Sequence, residues 1–517
     1  MWPLLAVVGC VSVVGWPAPA RLRVEGLEQW PQQRVVLSEA VPRFSFSHGR
    51  RAAGAPRGLG QLAYRIVVQR ALVATSPVVV WDSGVVRSVN SSDIAYGGDS
   101  PLRPFESYTW IAAWQATDER WSANASAAFE TGPIAESDWA PAEWLTGSQL
   151  RMEFQLPNAA VLRARAYVAA AGCHSIEING HRPSPDLRGV CAWTVLRKRV
   201  LYQTHDITSL LRAGANAVGI MSNDLDSRDG IQTPLVRAIL RVDVVGGSAP
   251  LLFYTFVGNS TAAPGMEWRE ADSWATMTGA GPPAWLRGWQ MQMNWTAEEP
   301  GWSSATGAAW HPTRPWSPAA GPSAQFDAAS PAQQMPVAAV VRRVAPVNVT
   351  RLGWPASNGS RVSWVYTFPR NLVGMVELQP LPGAAAGASI TLVHGEWLEK
   401  DVGGGTWRRC ERGGCTGPLS DIMPVVSGGG DHHQTVVHTL RAHNTGALSP
   451  LFAWHGFQYV KVVADNASSF AGGLQGLVAL EIHPNLTQTG QLAFGGDGVP
   501  GSASEDAAAV LGGIQVC

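Results

Sequence analysis

The chain has 517 residues, a formal net charge of −1 and only 15% charged residues. This length favours two to four domains, each large enough to bury its own core. Lysine and arginine are scattered, with the densest cluster at Arg197-Lys198-Arg199, so the charge pattern does not indicate a nucleic-acid partner or an anionic membrane. The 23 tryptophans are unusual. Tryptophan anchors cores and also stacks on sugars, and we expect most of these to be anchors of β-sandwich cores.

The first residues have the pattern of a secretory signal. The apolar stretch "PLLAVVGCVSVVGW" has 14 residues, which is too short to span a bilayer comfortably. Ala18-Pro19-Ala20 supplies a small-residue cleavage pattern, although no Lys or Arg precedes the apolar stretch. We therefore expect a signal peptide over residues 1–20 and a secreted chain that has no membrane segment after cleavage.

Cysteines and glycosylation sequons both fit an oxidising, extracellular setting. Without residues 1–20, five cysteines remain. We predict bridges between Cys173 and Cys191 and between Cys410 and Cys415, with Cys517 left over. Eight N-x-S/T sequons predict a glycosylated surface, and they lie at Asn90, Asn124, Asn259, Asn294, Asn348, Asn358, Asn466 and Asn485.

Short runs of β-branched and aromatic residues, separated by Gly, Pro, Asn and Ser, recur along the chain. Ala63–Ala71 alternates as a half-buried strand does, and Asn179-Gly180 predicts a tight hairpin turn. One short helix is predicted over Ile207–Arg212, with Asp206 as N-cap and Gly214 after its end. The pattern predicts an all-β protein made of several sandwiches.

Four histidines in "DHHQTVVHTLRAH" form a candidate metal site: His432, His433, His438 and His443. On a strand, His432 and His438 share one face but lie too far apart to bind one ion unaided. The alternative is a polar edge strand with exposed imidazoles, which we favour over a zinc site.

An acidic loop gives a second metal candidate. Asp224, Asp226 and Asp229 precede Gly230, and oxygen ligands at such spacing before a tight turn could hold calcium. Because the later bidentate glutamate of a helix-loop-helix calcium site is missing, a solvated loop is the preferred interpretation. We expect no required cofactor, with calcium as the alternative.

No motif for nucleophilic or zinc-dependent catalysis is present: G-x-S-x-G and H-E-x-x-H are both absent. Glu396 and Glu399 are close in sequence, but on a strand they point to opposite faces. Glycosidase carboxylates meet in space rather than in sequence. The sequence therefore nominates no catalytic residue.

Gly496–Gly501 matches G-x-G-x-x-G, the spelling of a dinucleotide-binding loop. Pro500 lies inside the match and only 16 residues follow it, too few to complete a β-α-β unit. Ser502–Gly513 instead has a capping serine and helix-forming residues, as expected where a helical domain begins.

Three blocks in order resemble the non-catalytic domains of bacterial-type α-L-rhamnosidases, a family of inverting glycoside hydrolases. Trp81–Ser88 with Phe129–Gly132 resembles the first domain, Leu196–Ile220 the second and Phe452–Val462 the third. The resemblance implies residues 1–20 as signal peptide, 21–133 as a fibronectin type III-like domain, 134–316 as a jelly-roll domain, 317–333 as a Pro/Ala-rich linker, 334–487 as a concanavalin-like domain and 488–517 as the start of a catalytic domain.

The resemblance also implies a helical toroid that carries the general acid and the general base, and we expect this chain to lack it. Two local departures accompany that absence. Residues 221–230 replace a Gly-Trp-Tyr turn of the family, and Thr367–Asn371 replaces Asp-x-Gly-Gln-Asn. No catalytic residue is carried over to this chain.

The enzyme hypothesis is an α-L-rhamnosidase that removes terminal non-reducing α-L-rhamnose, here as an incomplete and inactive chain. The alternative is a secreted, non-catalytic protein that binds rhamnose-containing glycans, because the jelly-roll domain of some family members binds rhamnose with calcium. A purely structural sandwich protein is the third possibility. Both leading hypotheses imply a rhamnose-containing glycan or glycoside as partner.

Overall fold

The protein is nearly all β. Its described residues contain only single turns of 3-10 helix, at Glu136–Trp139, Thr208–Leu210 and Leu474–Gly476, besides the strands. Among these residues no helix is long and apolar enough to cross a membrane. The computed structural model describes residues 16–28, 35–49, 60–71, 76–191, 194–196, 198–223, 234–256, 268–271, 275–278, 290–298, 301–304, 311–312, 314–315, 330–335, 337–352, 362–401, 407–409, 422–425, 434–443, 446–465, 470 and 473–484.

The first domain is a sandwich of a four-stranded and a six-stranded sheet. Strand β9 alternates between buried and half-buried residues along its whole length, and its buried face places Trp110 and Trp114 in the core. The predicted strand at Ala63–Ala71 lies within β5. The strands are β1 Ala20–Val24, β2 Leu27–Glu28, β3 Val36–Leu37, β4 Arg43–Ser47, β5 Gln61–Ala71, β6 Val78–Asp82, β7 Val86–Arg87, β8 Ile94–Ala95, β9 Ser107–Ala116 and β10 Ala125–Thr131.

The residues just before the predicted cleavage site pack into this first domain. Trp16 is buried in its core, and its Nε1 donates to the carboxylate of Asp118 at 3.0 Å. Trp114 Nε1 donates to the carbonyl oxygen of Pro17 at 3.1 Å. A mature chain that began at Arg21 would lack these contacts.

The second domain pairs two six-stranded sheets across an aliphatic core. The predicted turn at Asn179-Gly180 is confirmed, because Ile178 and His181 exchange two backbone hydrogen bonds of 2.8 and 2.9 Å. Asn179 and Gly180 have φ values of 50° and 85°, as a two-residue hairpin turn requires. The strands are β11 Leu145–Thr146, β12 Gln149–Leu156, β13 Val161–Ala171, β14 Cys173–Ile178, β15 Val190–Cys191, β16 Tyr202–Asp206, β17 Gly214–Asn223, β18 Leu235–Val244, β19 Leu251–Tyr254, β20 Trp268–Ala271, β23 His311–Pro312 and β24 Arg314–Pro315.

The helix predicted over Ile207–Arg212 is only a single 3-10 turn, Thr208–Leu210. Asp206 does accept a hydrogen bond from the backbone N–H of Thr208, at 3.1 Å. The turn stays short because Ile207 is fully buried in the core and the chain enters β17 at Gly214, whose φ is +80°. The prediction was therefore wrong about the length and about the N-cap, which is Ile207.

The third domain consists of a nine-stranded and a three-stranded sheet. Strand β22 runs parallel to β32 of the large sheet and pairs with β21, so residues 275–278 and 290–294 join this domain although the sequence placed them in the second. The predicted boundary at residue 316 therefore does not follow the strand pairing. The strands are β21 Ala275–Thr278, β22 Gln290–Asn294, β25 Ala338–Val344, β26 Asn348–Leu352, β27 Val362–Leu378, β28 Ser389–Gly395, β29 Trp397–Asp401, β30 Trp407–Arg409, β31 Ile422–Val425, β32 Thr435–Thr439, β33 His455–Ala464 and β34 Leu477–Pro484.

The domains are joined by packed interfaces. Trp139, a few residues after the last strand of the first domain, is 1% exposed and packs with Tyr167 and Tyr202 of the second domain. Cys173 and Met221 of the second domain lie in the same buried cluster as the core of the third domain. Apolar burial across both junctions therefore fixes the neighbouring domains against each other.

Candidate functional site

Four of the eight sequon asparagines lie within the described residues, and all four are exposed: Asn90, Asn124, Asn294 and Asn348. Exposure is a requirement for a glycan acceptor, so glycosylation stays a prediction at these positions. The other four lie outside the described residues: Asn259, Asn358, Asn466 and Asn485.

Cys173 and Cys191 are direct partners in the antiparallel ladder between β14 and β15. Cys173 is fully buried. The side chain of Cys191 lies outside the described residues, so the pairing of these two cysteines stays a prediction. Cys410, Cys415 and Cys517 also lie outside them.

The interpretation of His438 as an exposed residue on an edge strand is wrong. Strand β32 lies between β22 and β28, and His438 is 0% exposed. Its Nδ1 accepts a hydrogen bond from Trp295 Nε1 at 2.9 Å, and burial lowers its pKa to about 3. A core imidazole satisfied by tryptophan therefore replaces the expected polar surface.

Within the described residues, the remaining metal-ligand candidates do not come together in a metal site. His443 is exposed and its Nδ1 donates to the carbonyl oxygen of Pro382. No group of three or more histidine, cysteine, aspartate or glutamate side chains with metal-binding geometry occurs among the described residues. Outside those residues lie His432 and His433, and the loop with Asp224, Asp226 and Asp229.

Glu396 and Glu399 do not form a carboxylate pair. Glu396 lies at the bend between β28 and β29, beside Gly456. Glu399 lies in β29 and accepts a hydrogen bond from Trp397 Nε1 at 3.0 Å. The structure therefore agrees with the sequence in nominating neither as a catalytic group.

The buried carboxylates of the described residues are all held by arginines. Each accepts at least one arginine N–H or lies within ion-pair distance of one. The four residues are Glu130, Asp243, Glu377 and Glu481.

Two buried histidines that the sequence analysis did not select meet inside the second domain. His174 lies on β14 and His205 on β16, in opposite sheets, and their Nε2 atoms are 3.2 Å apart. Burial lowers the pKa of His205 to about 4, and burial and the neighbouring His205 lower that of His174 well below its usual range. One ring donates and the other accepts, so the pair is neutral.

A second imidazole pair lies in the third domain. The rings of His394 and His455 are 4.4 Å apart between centroids, and each is only 2% exposed. His394 Nδ1 donates to the carbonyl oxygen of Gln434 at 3.0 Å. Burial lowers the pKa of His394 to about 4, and burial with the adjacent His394 lowers that of His455 well below its usual range.

A buried ion pair joins the first two domains. Arg165 of β13 donates from Nε and Nη2 to the two carboxylate oxygens of Glu130 on β10, each at 2.8 Å, and both side chains are 4% exposed. Arg237 contacts Glu136 and stacks between Trp139 and Trp144 at 4.5 and 4.8 Å. Arg165 therefore bonds across the junction of the two domains, whereas Arg237 contacts the segment that follows the first domain.

One signal could have identified His174 from sequence. It alternates with Ile176 and Ile178 along β14, and side chains two residues apart on a strand share one face. An imidazole on the apolar face of a strand indicates a buried histidine. Its partner His205 lies 31 residues away, and no local pattern connects the two.

Comparison with known domain families matches the three blocks. Residues 19–135 match the Rha78A-like, N-terminal immunoglobulin domain, residues 159–224 the α-L-rhamnosidase N-terminal domain, and residues 359–480 the bacterial α-L-rhamnosidase concanavalin-like domain. The first domain was predicted as fibronectin type III-like. The match is to an immunoglobulin domain, which shares the sandwich architecture.

Similar proteins include an α-L-rhamnosidase of Formosa agariphila, 24% identical over 455 residues that cover 78% of this chain and 42% of that protein. An α-L-rhamnosidase of Streptomyces avermitilis is 38% identical over 122 residues, which cover 21% of this chain and 12% of that protein. This chain thus spans less than half the length of either relative.

Solved structures agree on the fold. The α-L-rhamnosidase from Dictyoglumus thermophilum superposes with a TM-score of 0.68 at 19% identity, covering 91% of this chain and 49% of that one. The Streptomyces avermitilis α-L-rhamnosidase complexed with L-rhamnose gives a TM-score of 0.65 at 18% identity. The match covers 90% of this chain and 57% of that one. In order along the chain, the three β-sandwich domains are similar to the N-terminal, non-helical domains of bacterial α-L-rhamnosidases.

Proposed function

We propose that this chain is the β-domain part of an α-L-rhamnosidase, which hydrolyses terminal non-reducing α-L-rhamnose from rhamnosides when a catalytic domain is joined to it. The observation that carries the proposal is the order of the three matched domains, which the chain shares with the family. A rhamnose-containing glycan or glycoside is the corresponding partner. The purely glycan-binding alternative has less support, because the similar proteins are named as rhamnosidases.

The chain by itself should be catalytically inactive. Inverting hydrolysis needs one carboxylic acid and one carboxylate about 6.5–9.5 Å apart on either side of the scissile bond. Within the described residues, each of the four buried carboxylates is already engaged by an arginine side chain. The chemistry has to come from elsewhere in the assembled enzyme.

We expect the purified chain to release no rhamnose above the buffer rate from 4-nitrophenyl α-L-rhamnoside. The Streptomyces avermitilis α-L-rhamnosidase serves as positive control under the same conditions. A chain extended by the helical domain encoded downstream, if an open frame exists there, should gain activity by many orders of magnitude. Release by the chain alone that persists through two further purification steps would contradict the proposed inactivity.

We also propose that the chain is secreted, glycosylated and disulfide-bonded. Support comes from the apolar N-terminal stretch, from the four exposed sequon asparagines and from the position of Cys173 directly opposite Cys191 on neighbouring antiparallel strands. A secreted domain of this kind keeps its disulfides because its compartment is oxidising.

Mass spectrometry of the chain from a secreting eukaryotic host tests this proposal. Non-reducing peptide maps should contain one cross-linked peptide that joins Cys173 to Cys191, and the described sequons should carry glycan that a glycosidase removes. Expression in a reducing cytosol is the matched control, where both signals should vanish. Free Cys191 thiol in the secreted chain would rule out the pairing, and unmodified asparagines at all four positions would rule out glycosylation there.

A further inference from the structure

The imidazole pair of the second domain lies beside the loop that contacts the third domain. His174 and His205 are 2% and 5% exposed, and their Nε2 atoms are 3.2 Å apart. Together with Arg182, Ser184 and Leu187 they line a small cavity of about 10 Å³. The pair therefore supports one side of the loop formed by residues 182–189.

The other side of this loop is seated on the third domain. Asp186 accepts a backbone hydrogen bond from Val340 at 2.9 Å. Arg188 donates to Ser449 Oγ at 3.2 Å and to Glu377 at 3.3 Å. A Cβ placed on Gly189 would lie 2.2 Å from the carbonyl oxygen of Leu451, so the backbones are in direct contact. A displacement of this loop would disturb the junction between the domains.

The charges around the pair offer no compensation for a proton on either ring. None of the residues that line the cavity is acidic. Arg182 is cationic, and its nearest carboxylate, Glu177 at 3.4 Å, also accepts from Ser303. His181 is exposed at the neighbouring turn.

Charged groups on the other neighbouring elements are already engaged. Across the loop, Glu377 is paired with Arg343 as well as with Arg188. Beside His205, Asp206 is bound to Arg165 at 2.8 Å. Opposite His174, β17 contributes Ser222, which carries no charge.

We propose that the His174–His205 pair is an acid-sensitive latch that keeps loop 182–189 seated between the second and third domains. In the neutral pair one Nε2–H donates to the other Nε2. A first proton taken from solvent turns the pair into a buried cation in which one Nε2–H still donates to the other Nε2, and a second proton places an N–H on both nitrogens, so that two donors face each other and the hydrogen bond is lost. The cation then lies in an apolar cavity beside Arg182, which favours an open loop where water can solvate it.

The direction of the pH dependence follows from proton linkage. In the open loop each imidazole has a pKa near its ordinary value of about 6.5, whereas burial lowers the pKa of His205 in the closed loop to about 4. A base with a lowered pKa stabilises the closed form above about pH 6.5, and this stabilisation is lost as pH falls from there toward 4. Loop opening should increase by up to about tenfold per pH unit for each ring that binds a proton.

Hydrogen exchange of the full chain between pH 7 and pH 4.5 tests the latch. After correction for intrinsic exchange rates, the amides of residues 182–189 and of Val340 should lose protection by at least tenfold from pH 6.5 to pH 5. Amides of β9 in the first domain should keep theirs. If loop protection in the wild-type chain is unchanged across this range, or falls only together with that of β9, the latch is refuted.

A double variant separates the latch from general acid effects. His174→Gln with His205→Gln keeps a hydrogen-bonding pair that cannot take up a proton in this range, so loop protection should become independent of pH. The exposed His443→Gln is the matched control and should behave as wild type. Retained pH dependence in a folded double variant would overturn the proposal, and the wild-type series decides it if that variant does not fold.

Discussion

Replacing Arg165 by methionine should lower the free energy of unfolding of the joined first and second domains by about 3–5 kcal/mol. The arginine holds both carboxylate oxygens of Glu130 at 2.8 Å, and each side chain is only 4% exposed. Without the guanidinium, Glu130 would be a buried charge without its main compensation, and that desolvation cost dominates the loss. Urea unfolding monitored by tryptophan fluorescence measures the change.

An exposed ion pair of the first domain provides the matched control. Arg23 lies 3.6 Å from Glu28, with side chains 37% and 43% exposed, and Arg23→Met should cost less than about 1 kcal/mol. The double variant Arg165→Met with Glu130→Leu should recover part of the loss, because it removes the uncompensated charge. Equal effects of the two single arginine variants would show that Arg165 does not hold the interface.

The regular parts of the fold follow from local sequence. Strand β9 was recognisable because alternation repeats every two residues along one half-buried strand, and Asn179-Gly180 identified a turn that depends on positive φ. The resemblance to α-L-rhamnosidases also rested on local blocks of sequence. Such local patterns can be recognised without knowing which residues pack on the other side of the core.

Buried polar residues did not follow from local sequence, because their partners are distant in the chain. His438 looked exposed among polar neighbours, yet Trp295, 143 residues away, satisfies its Nδ1 inside the sheet. Arg165 meets Glu130 from another domain. The place of β21 and β22 did not follow from local sequence for the same reason, since they join a sheet whose remaining strands begin more than forty residues further along. Long-range pairing decides burial, and composition does not encode it.

Acidification should destabilise the second and third domains through five buried histidines. Burial lowers the pKa of each in the folded protein, to about 4 for His205 and His394 and to about 3 for His438, with His174 and His455 well below the usual range. Unfolded imidazoles bind a proton near pH 6.5. Stability is therefore present above pH 6.5 and falls below it, by about 1.4 kcal/mol per pH unit for each histidine.

Calorimetry in buffers of different ionisation enthalpy counts these protons. At pH 5 each histidine is almost fully protonated when unfolded and mostly neutral when folded, so the third domain should take up nearly three protons on unfolding and the second nearly two. If the two domains unfold together because they share a core cluster, the single transition should take up between four and five. His394→Gln should lower the count by about one, while His443→Gln, at an exposed position, should leave it unchanged. An uptake below one proton would mean that these imidazoles are solvated or charged in the folded chain. The buried positions of these histidines would then be wrong.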